Sequence, residues 1–147
     1  MDFPKLNLPQ VIFKTKLVNG TTQVFDEVRK RYIIITPEEW VRQHFIHYLS
    51  SVKNYPFGLM AVEKLIKYNN VRNRADIVLY DTEGFPTMIV ECKAPSIDLN
   101  GNVLNQALNY NIIYDCPFVI LTNGIIHKTF DVDQNSIQVI KYFPNYN

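Results

Sequence analysis

Two stretches constrain the fold more than any others: Arg74–Tyr80, "RADIVLY", and Pro86–Lys93, "PTMIVECK". Each is short and apolar, and only "DTEGF" separates them. Runs of this kind on either side of a Gly-containing turn read as neighbouring antiparallel strands. Gly84 supplies the positive φ that such a turn needs. If Asp81 pairs with Pro86 across the turn, the register sets Asp76 opposite Glu91.

That register has chemical consequences. Side chains alternate across a strand, so Glu91 and Lys93 share one face while Cys92 joins Val90 and Met88 on the other. Facing Cβ atoms lie about 4.5–5.5 Å apart, and like charges at that separation repel. A divalent cation turns the repulsion into a binding site. Mg²⁺ suits a few carboxylate and carbonyl oxygens and keeps several waters; Mn²⁺ is expected to substitute. Lys93, one pleat further on, can orient the attacking water, help deprotonate it or stabilise charge on a phosphate. Taken singly, the same residues also fit a solvated aspartate and a strand-end Glu–Lys ion pair. Two features favour the site. Asp76 is the one acid within its strand and falls at the matching register, and "ECK" ends an apolar strand instead of lying on a solvated face.

The remaining pattern predicts an α/β domain. Residues 11–17 and 22–35 are strand-like, and Asn19-Gly20 between them marks an N-terminal β-hairpin. "TPEEWVRQHFIHYLSSV" predicts a helix capped by Thr36, with Pro37 at its first position, Glu39 completing a capping box, and Val41, Phe45, Tyr48, Leu49 and Val52 facing the core. A strand over 59–68 precedes the central hairpin. A helix over 102–115 follows it, with Val103, Leu104, Ala107, Leu108 and Ile112 on its apolar side. "PFVILT", "IIHKTFDVD" and "SIQVIKYF" read as closing strands. The expected architecture is a mixed central sheet flanked by helices.

A chain of 147 residues, 47% of them apolar, is expected to be one domain spanning 1–147. Prolines near the N-terminus and the lack of a long apolar run predict a cytoplasmic protein without membrane association. Cys92 and Cys116 are too few for a disulfide framework. Residues 1–74 hold twelve Lys/Arg against six Asp/Glu, and residues 75–147 hold three against eight. That asymmetry alone is weak evidence for a nucleic-acid partner.

"RADIVLY", "MIVECKAPS", "NQALNYN" and "PFVILTNG" together resemble the PD-(D/E)xK nuclease superfamily. The likeness is nearest to the N-terminal nuclease domain of type I restriction enzyme R (motor) subunits, in which "ITPEEWVRQ" also has a counterpart. It covers roughly residues 25–125. It implies a restriction-endonuclease-like core and Mg²⁺-dependent cleavage of DNA. Asp76 and Glu91 would hold the metal with the backbone carbonyl of Cys92, and Lys93 would be the catalytic lysine. Ala75 stands where the name-giving proline would be.

The resemblance also implies a glutamate from the first helix. Glu38 falls within the arc of Val41, Phe45 and Leu49, so it is favoured over Glu39 as a catalytic and metal-binding residue, with Arg42 as its partner or a phosphate contact. As helix-start acids, both also complement the dipole. Gln106 and Tyr110 match a Q-x-x-x-Y motif that packs beside such sites, contacting substrate or bracing Lys93. Arg72 and Arg74, near Lys64 and Lys67, are candidate phosphate contacts. Glu63 reads as a surface ion-pair residue, and His44 and His47 as surface or boundary residues. No P-loop lies in the 147 residues, so the expectation is a stand-alone nuclease, a domain acting with separately encoded helicase or modification subunits, or a truncated relic. A homodimer would provide two sites for a double-strand cut. The alternative is a non-catalytic nucleic-acid-binding or scaffolding module with the same fold.

Overall fold

The computed structural model describes residues 3–68 and 71–146, with the side chains of residues 66–73 outside the description. In chain order the elements are β1 (Thr15–Val18), β2 (Thr21–Asp26), β3 (Arg31–Ile34), α1 (Pro37–Ser51), β4 (Met60–Tyr68), β5 (Val71–Tyr80), β6 (Pro86–Cys92), α2 (Gly101–Tyr114), β7 (Phe118–Thr122), β8 (His127–Val132) and β9 (Ile137–Ile140). β1, β2 and β3 form an antiparallel meander. β4 to β9 form a six-stranded sheet in chain order. Its pairs are antiparallel except β6–β7, which run parallel and are joined through α2. The sheet is therefore mixed, as the pattern predicts.

The N-terminal hairpin gains a third strand. The run 22–35 breaks at 27–30, because Asp26 Oδ1 accepts the N–H groups of Val28 and Arg29 at 2.8 and 2.7 Å. Lys30 then takes φ +54°. An aspartate that captures backbone donors two and three residues on makes a turn, which overrides the strand propensity around it.

α1 starts as expected, with Thr36 Oγ1 accepting from Glu39 N–H at 3.1 Å. Val41, Phe45 and Leu49 are buried, but Val52 is an exposed C-cap and Ile46 takes its place in the core. These side chains pack on Ile77, Leu79, Met88, Val90, Cys92 and Ile120 from one face of the sheet. Burying each large one contributes about 1.5–3 kcal/mol. α2 covers the other face. Val103 and Ala107 meet Val119 and Leu121, and Tyr110 meets Val78 and Ile89. Ile112 is 65% exposed, so the apolar side of α2 runs through Tyr110 instead. β6 is buried on both faces, which explains its unbroken apolar run. Among the described residues no helix is long and apolar enough to cross a membrane.

Candidate active site

The β5–β6 ladder pairs Ile77 with Val90, Val78 with Ile89 and Leu79 with Met88. One step further along the same register, Asp76 comes beside Glu91. The turn differs from the simple pattern: Tyr80, not Asp81, pairs with Pro86, and a shift between Leu79 and Tyr80 absorbs the offset before the site is reached. Asp81 anchors the turn, its Oδ1 accepting from the N–H groups of Glu83 and Phe85.

Asp76 and Glu91 are both buried, Glu91 at 3% exposure. Cys92 N–H donates to Asp76 Oδ2 at 2.8 Å. In extended backbone N–H and C=O of one residue leave the strand on the same side, so the Cys92 carbonyl is directed towards β5 as well. Glu91 Oε1 lies 3.3 Å from Lys93 Nζ, while Glu91 Oε2 is buried with no hydrogen-bond partner. Burial, and then the Asp76 carboxylate within hydrogen-bonding reach, push Glu91 up to about 9. A buried carboxyl with an unused oxygen beside a second carboxylate is a pair that a shared proton or a cation can relieve. Among the described residues no three His, Cys, Asp or Glu side chains converge as a ready-made cage. Mg²⁺ does not need one, since it is commonly held by one or two carboxylates and completes its shell with water. The donor set of Asp76, Glu91 and the Cys92 carbonyl fits such an ion.

Lys93 follows β6 on the α2 side. Its Nζ donates to Gln106 Oε1 at 2.9 Å, and Gln106 Nε2 donates to the Tyr110 hydroxyl at 3.0 Å. Glu91, Lys93, Gln106 and Tyr110 thus form one hydrogen-bonded line from strand to helix. Tyr110 is buried in the α2-side cluster, so it braces this line and offers no surface to nucleic acid. Burial, and next Glu91, raise its phenol above the ordinary value.

α1 faces the site from the opposite side and carries the largest departures from the sequence pattern. Arg42 is 2% exposed. Its Nη2 lies 2.5 Å from Asp76 Oδ1, 2.9 Å from Glu38 Oε1 and 3.4 Å from Glu63 Oε1, and its Nη1 bonds Glu39. Burial opposes its charge, but Asp76 and Glu39 outweigh that and hold the guanidinium protonated. Arg42 is a partner of Glu38, as the i, i+4 spacing predicts, but it is an internal counter-ion and not a surface contact for phosphate. Glu39 points inward as well. It bonds Arg29, Arg42 and Gln43, where a capping-box glutamate would turn back to its own N-terminus. Glu38 is the open one, with a 43% exposed side chain. Burial raises its carboxyl, as does the Asp76 charge, while Arg42 and Lys93 work the other way.

Glu63 is drawn into the same network. It has φ +51°, β4 and β5 skip the pair it would make with Asp76, and it contacts Arg29 at 3.2 Å as well as Arg42. Arg74, 66% exposed, reaches Glu63 at 3.9 Å and is open to solvent. Lys64 donates to the Tyr80 hydroxyl at 2.9 Å. The side chains of Arg72 and Lys67 lie outside the described residues. His44 is buried against Trp40 and Phe13, not at the surface.

Arg29 and Asp26 are members of this network that sequence reasoning passes over. Arg29 bonds Asp26, Glu39 and Glu63, and Asp26 Oδ2 also accepts from Gln43 Nε2 at 2.8 Å. One signal was available: Glu39, Arg42, Gln43 and Ile46 follow helical spacing beside the apolar stripe. α1 is buried on two sides, against the sheet and against the β2–β3 turn.

Comparison with known proteins places this arrangement in context. Residues 37–144, which hold every site residue above except Asp26 and Arg29, match the model of the type I restriction enzyme R protein N terminus (HSDR_N). The chain is 42% identical over 67 residues to the type I restriction enzyme EcoAI endonuclease subunit of Escherichia coli, a match covering 46% of this chain and 7% of that protein. It also superposes on a fragment structure described as an HsdR subunit of a type I restriction enzyme from Vibrio vulnificus YJ016. The TM-score is 0.57 at 22% identity, over 76% of this chain and 24% of that one. That likeness establishes the fold. The chain therefore spans a small part of the proteins it matches. With the family model extending from α1 through β9, this chain belongs to the type I restriction enzyme R protein N-terminal family.

Proposed function

We propose that the chain is a nuclease domain that hydrolyses DNA phosphodiesters with a divalent cation, Mg²⁺ or Mn²⁺, as cofactor. The observation that carries this reading is the buried, unpartnered Glu91 Oε2 beside Asp76. Asp76, Glu91 and the Cys92 carbonyl would hold the ion, with Glu38 at the rim able to join them. The ion would supply Lewis acidity, lowering the pKa of the attacking water and screening charge on the phosphate. The chain's own groups do the rest. Lys93, fixed between Glu91 and Gln106, presents its ammonium to the water and to the developing charge on phosphorus. Gln106 and Tyr110 keep the lysine from swinging into solvent. Arg74 is open to contact a phosphate.

The curated relative is a subunit of a restriction enzyme, and by analogy the partners are DNA and other subunits of such an enzyme. A second reading, a DNA-binding module without catalysis, is favoured by one observation: Arg42 already neutralises Asp76. A nuclease assay separates the two. Circular and linear DNA are incubated with Mg²⁺ or Mn²⁺ and either the parent or Lys93→Ala. Cutting by the parent and loss of it in the variant support the enzyme. DNA retention without cutting by the parent supports the module.

A further inference from the structure

Around Asp76, one carboxylate oxygen accepts from Cys92 N–H at 2.8 Å and the other lies 2.5 Å from Arg42 Nη2. Both oxygens are therefore engaged, unlike Glu91 Oε2. Arg42 holds three further carboxylates, Glu38, Glu39 and Glu63, and its Nε is buried with no partner. A guanidinium normally places its five donors in a fixed fork. Here it is spread over four acids and satisfies none of them as a bidentate pair.

We propose that Arg42 is a positioning residue that stands in for the divalent cation at Asp76: it neutralises and aims this carboxylate before the cation arrives, then yields it when the cation binds. This rests on the metal-dependent reading above. Three features support the exchange. Arg42 remains charge-paired to Glu38, Glu39 and Glu63 after it releases Asp76, so no unpaired buried charge results. Its hold on Asp76 uses one nitrogen, so a small change in the side-chain torsions that carry the rigid guanidinium ends it. Among the described side chains acids also outnumber bases: Asp26, Glu38, Glu39, Glu63, Asp76 and Glu91 meet Arg29, Arg42, Lys93 and, at the edge, Arg74. The cluster can accept a further cation without ejecting the arginine. Two positive charges that compete for one carboxylate are coupled reciprocally, so removing either strengthens the other's hold.

The test uses the whole chain and Mn²⁺ alone as the probe, with free Mn²⁺ read by electron paramagnetic resonance. Arg42→Gln is expected to melt at lower temperature without Mn²⁺ and to bind Mn²⁺ about tenfold more tightly than the parent, within the usual range of site–site coupling. Arg42→Lys, which keeps the charge, is expected to bind as the parent does. Equal or weaker binding by folded Arg42→Gln overturns the proposal. A second measurement needs no variant of Arg42. In the parent, nitrogen NMR of the Arg42 guanidinium is expected to show faster rotation about the Cζ–Nη bonds when Mg²⁺ is added, and unchanged or slower rotation overturns the proposal. If the parent binds no Mn²⁺ and Glu91→Gln behaves the same, the metal-dependent reading falls and this one with it. If the parent binds Mn²⁺ but Arg42→Gln gains nothing, this one alone falls.

Discussion

Lys93 Nζ donates to Gln106 Oε1 at 2.9 Å, which ties the end of β6 to the middle of α2. Gln106 is exposed and held from behind by Tyr110, so its amide serves position more than packing. Gln106→Leu is expected to lower DNA cleavage by roughly ten- to a hundredfold, the cost of a misplaced catalytic group. Stability should change by no more than about 0.5 kcal/mol, as for most surface substitutions. Single-turnover cleavage and chemical denaturation of the same preparation check both halves.

Glu91 gives a pH signature. Its folded value is raised, to about 9, against about 4.3 for an unfolded glutamate. Between these values the folded chain holds a proton that the unfolded chain has lost. Stability from this group is therefore full below about pH 4 and is lost as pH rises through about 9. Without divalent ions, denaturation midpoints are expected to fall from pH 5 to 9, and Glu91→Gln is expected to flatten that slope. A cation must displace the proton, so Mn²⁺ affinity should rise over the same window. A slope unchanged in Glu91→Gln would contradict the assignment.

Asp26 is expected to be the most sensitive acid outside the Asp76–Glu91 pair. It is fully buried, anchors the β2–β3 turn through Oδ1, and gives Oδ2 to Arg29 and Gln43. Asp26→Ala leaves two backbone N–H groups without their acceptor and takes from Arg29 one of its three carboxylates, Glu39 and Glu63 remaining. A loss of about 1–3 kcal/mol in urea unfolding is expected, the cost of unsatisfied buried donors.

Gly124 bears on how the N-terminal segment is docked. It has φ +83°, and a Cβ there would stand 2.7 Å from Leu6 Cδ2 and 3.1 Å from a Val41 methyl. Asn7 N–H donates to the Gly124 carbonyl at 2.8 Å. Gly124→Ala combines positive-φ strain with that clash, and a loss of about 1–3 kcal/mol is expected in thermal or urea unfolding. Leu6→Ala in the same background should recover part of it by vacating the space.

The sequence made the central hairpin legible because its information is local. Period-2 alternation and a short turn set the register of Asp76 against Glu91, and even an offset at Tyr80 was absorbed before reaching them. Helical spacing put Gln106 and Tyr110 on one face, but only the family resemblance set them apart from ordinary boundary residues. The arginine network was not legible. Arg29 sits in a turn that reads as strand, and its partners arrive from β4 and α1 by tertiary docking. The helical arc turned Glu38 towards the sheet and Glu39 away, and the structure reverses them, with Glu39 buried and Glu38 open, because the arc assumes one buried face and α1 has two. Arg42 shows the same limit: nothing in "EEWVRQ" says that its charge is enclosed.

The most direct test of the central claim is anomalous diffraction from crystals of this chain grown with Mn²⁺. The account predicts one strong peak in contact with the carboxylates of Asp76 and Glu91, and its loss in Glu91→Gln crystals. A Mn²⁺ peak elsewhere on the chain, with Asp76 still closed on Arg42 and no density beside Glu91, would contradict it.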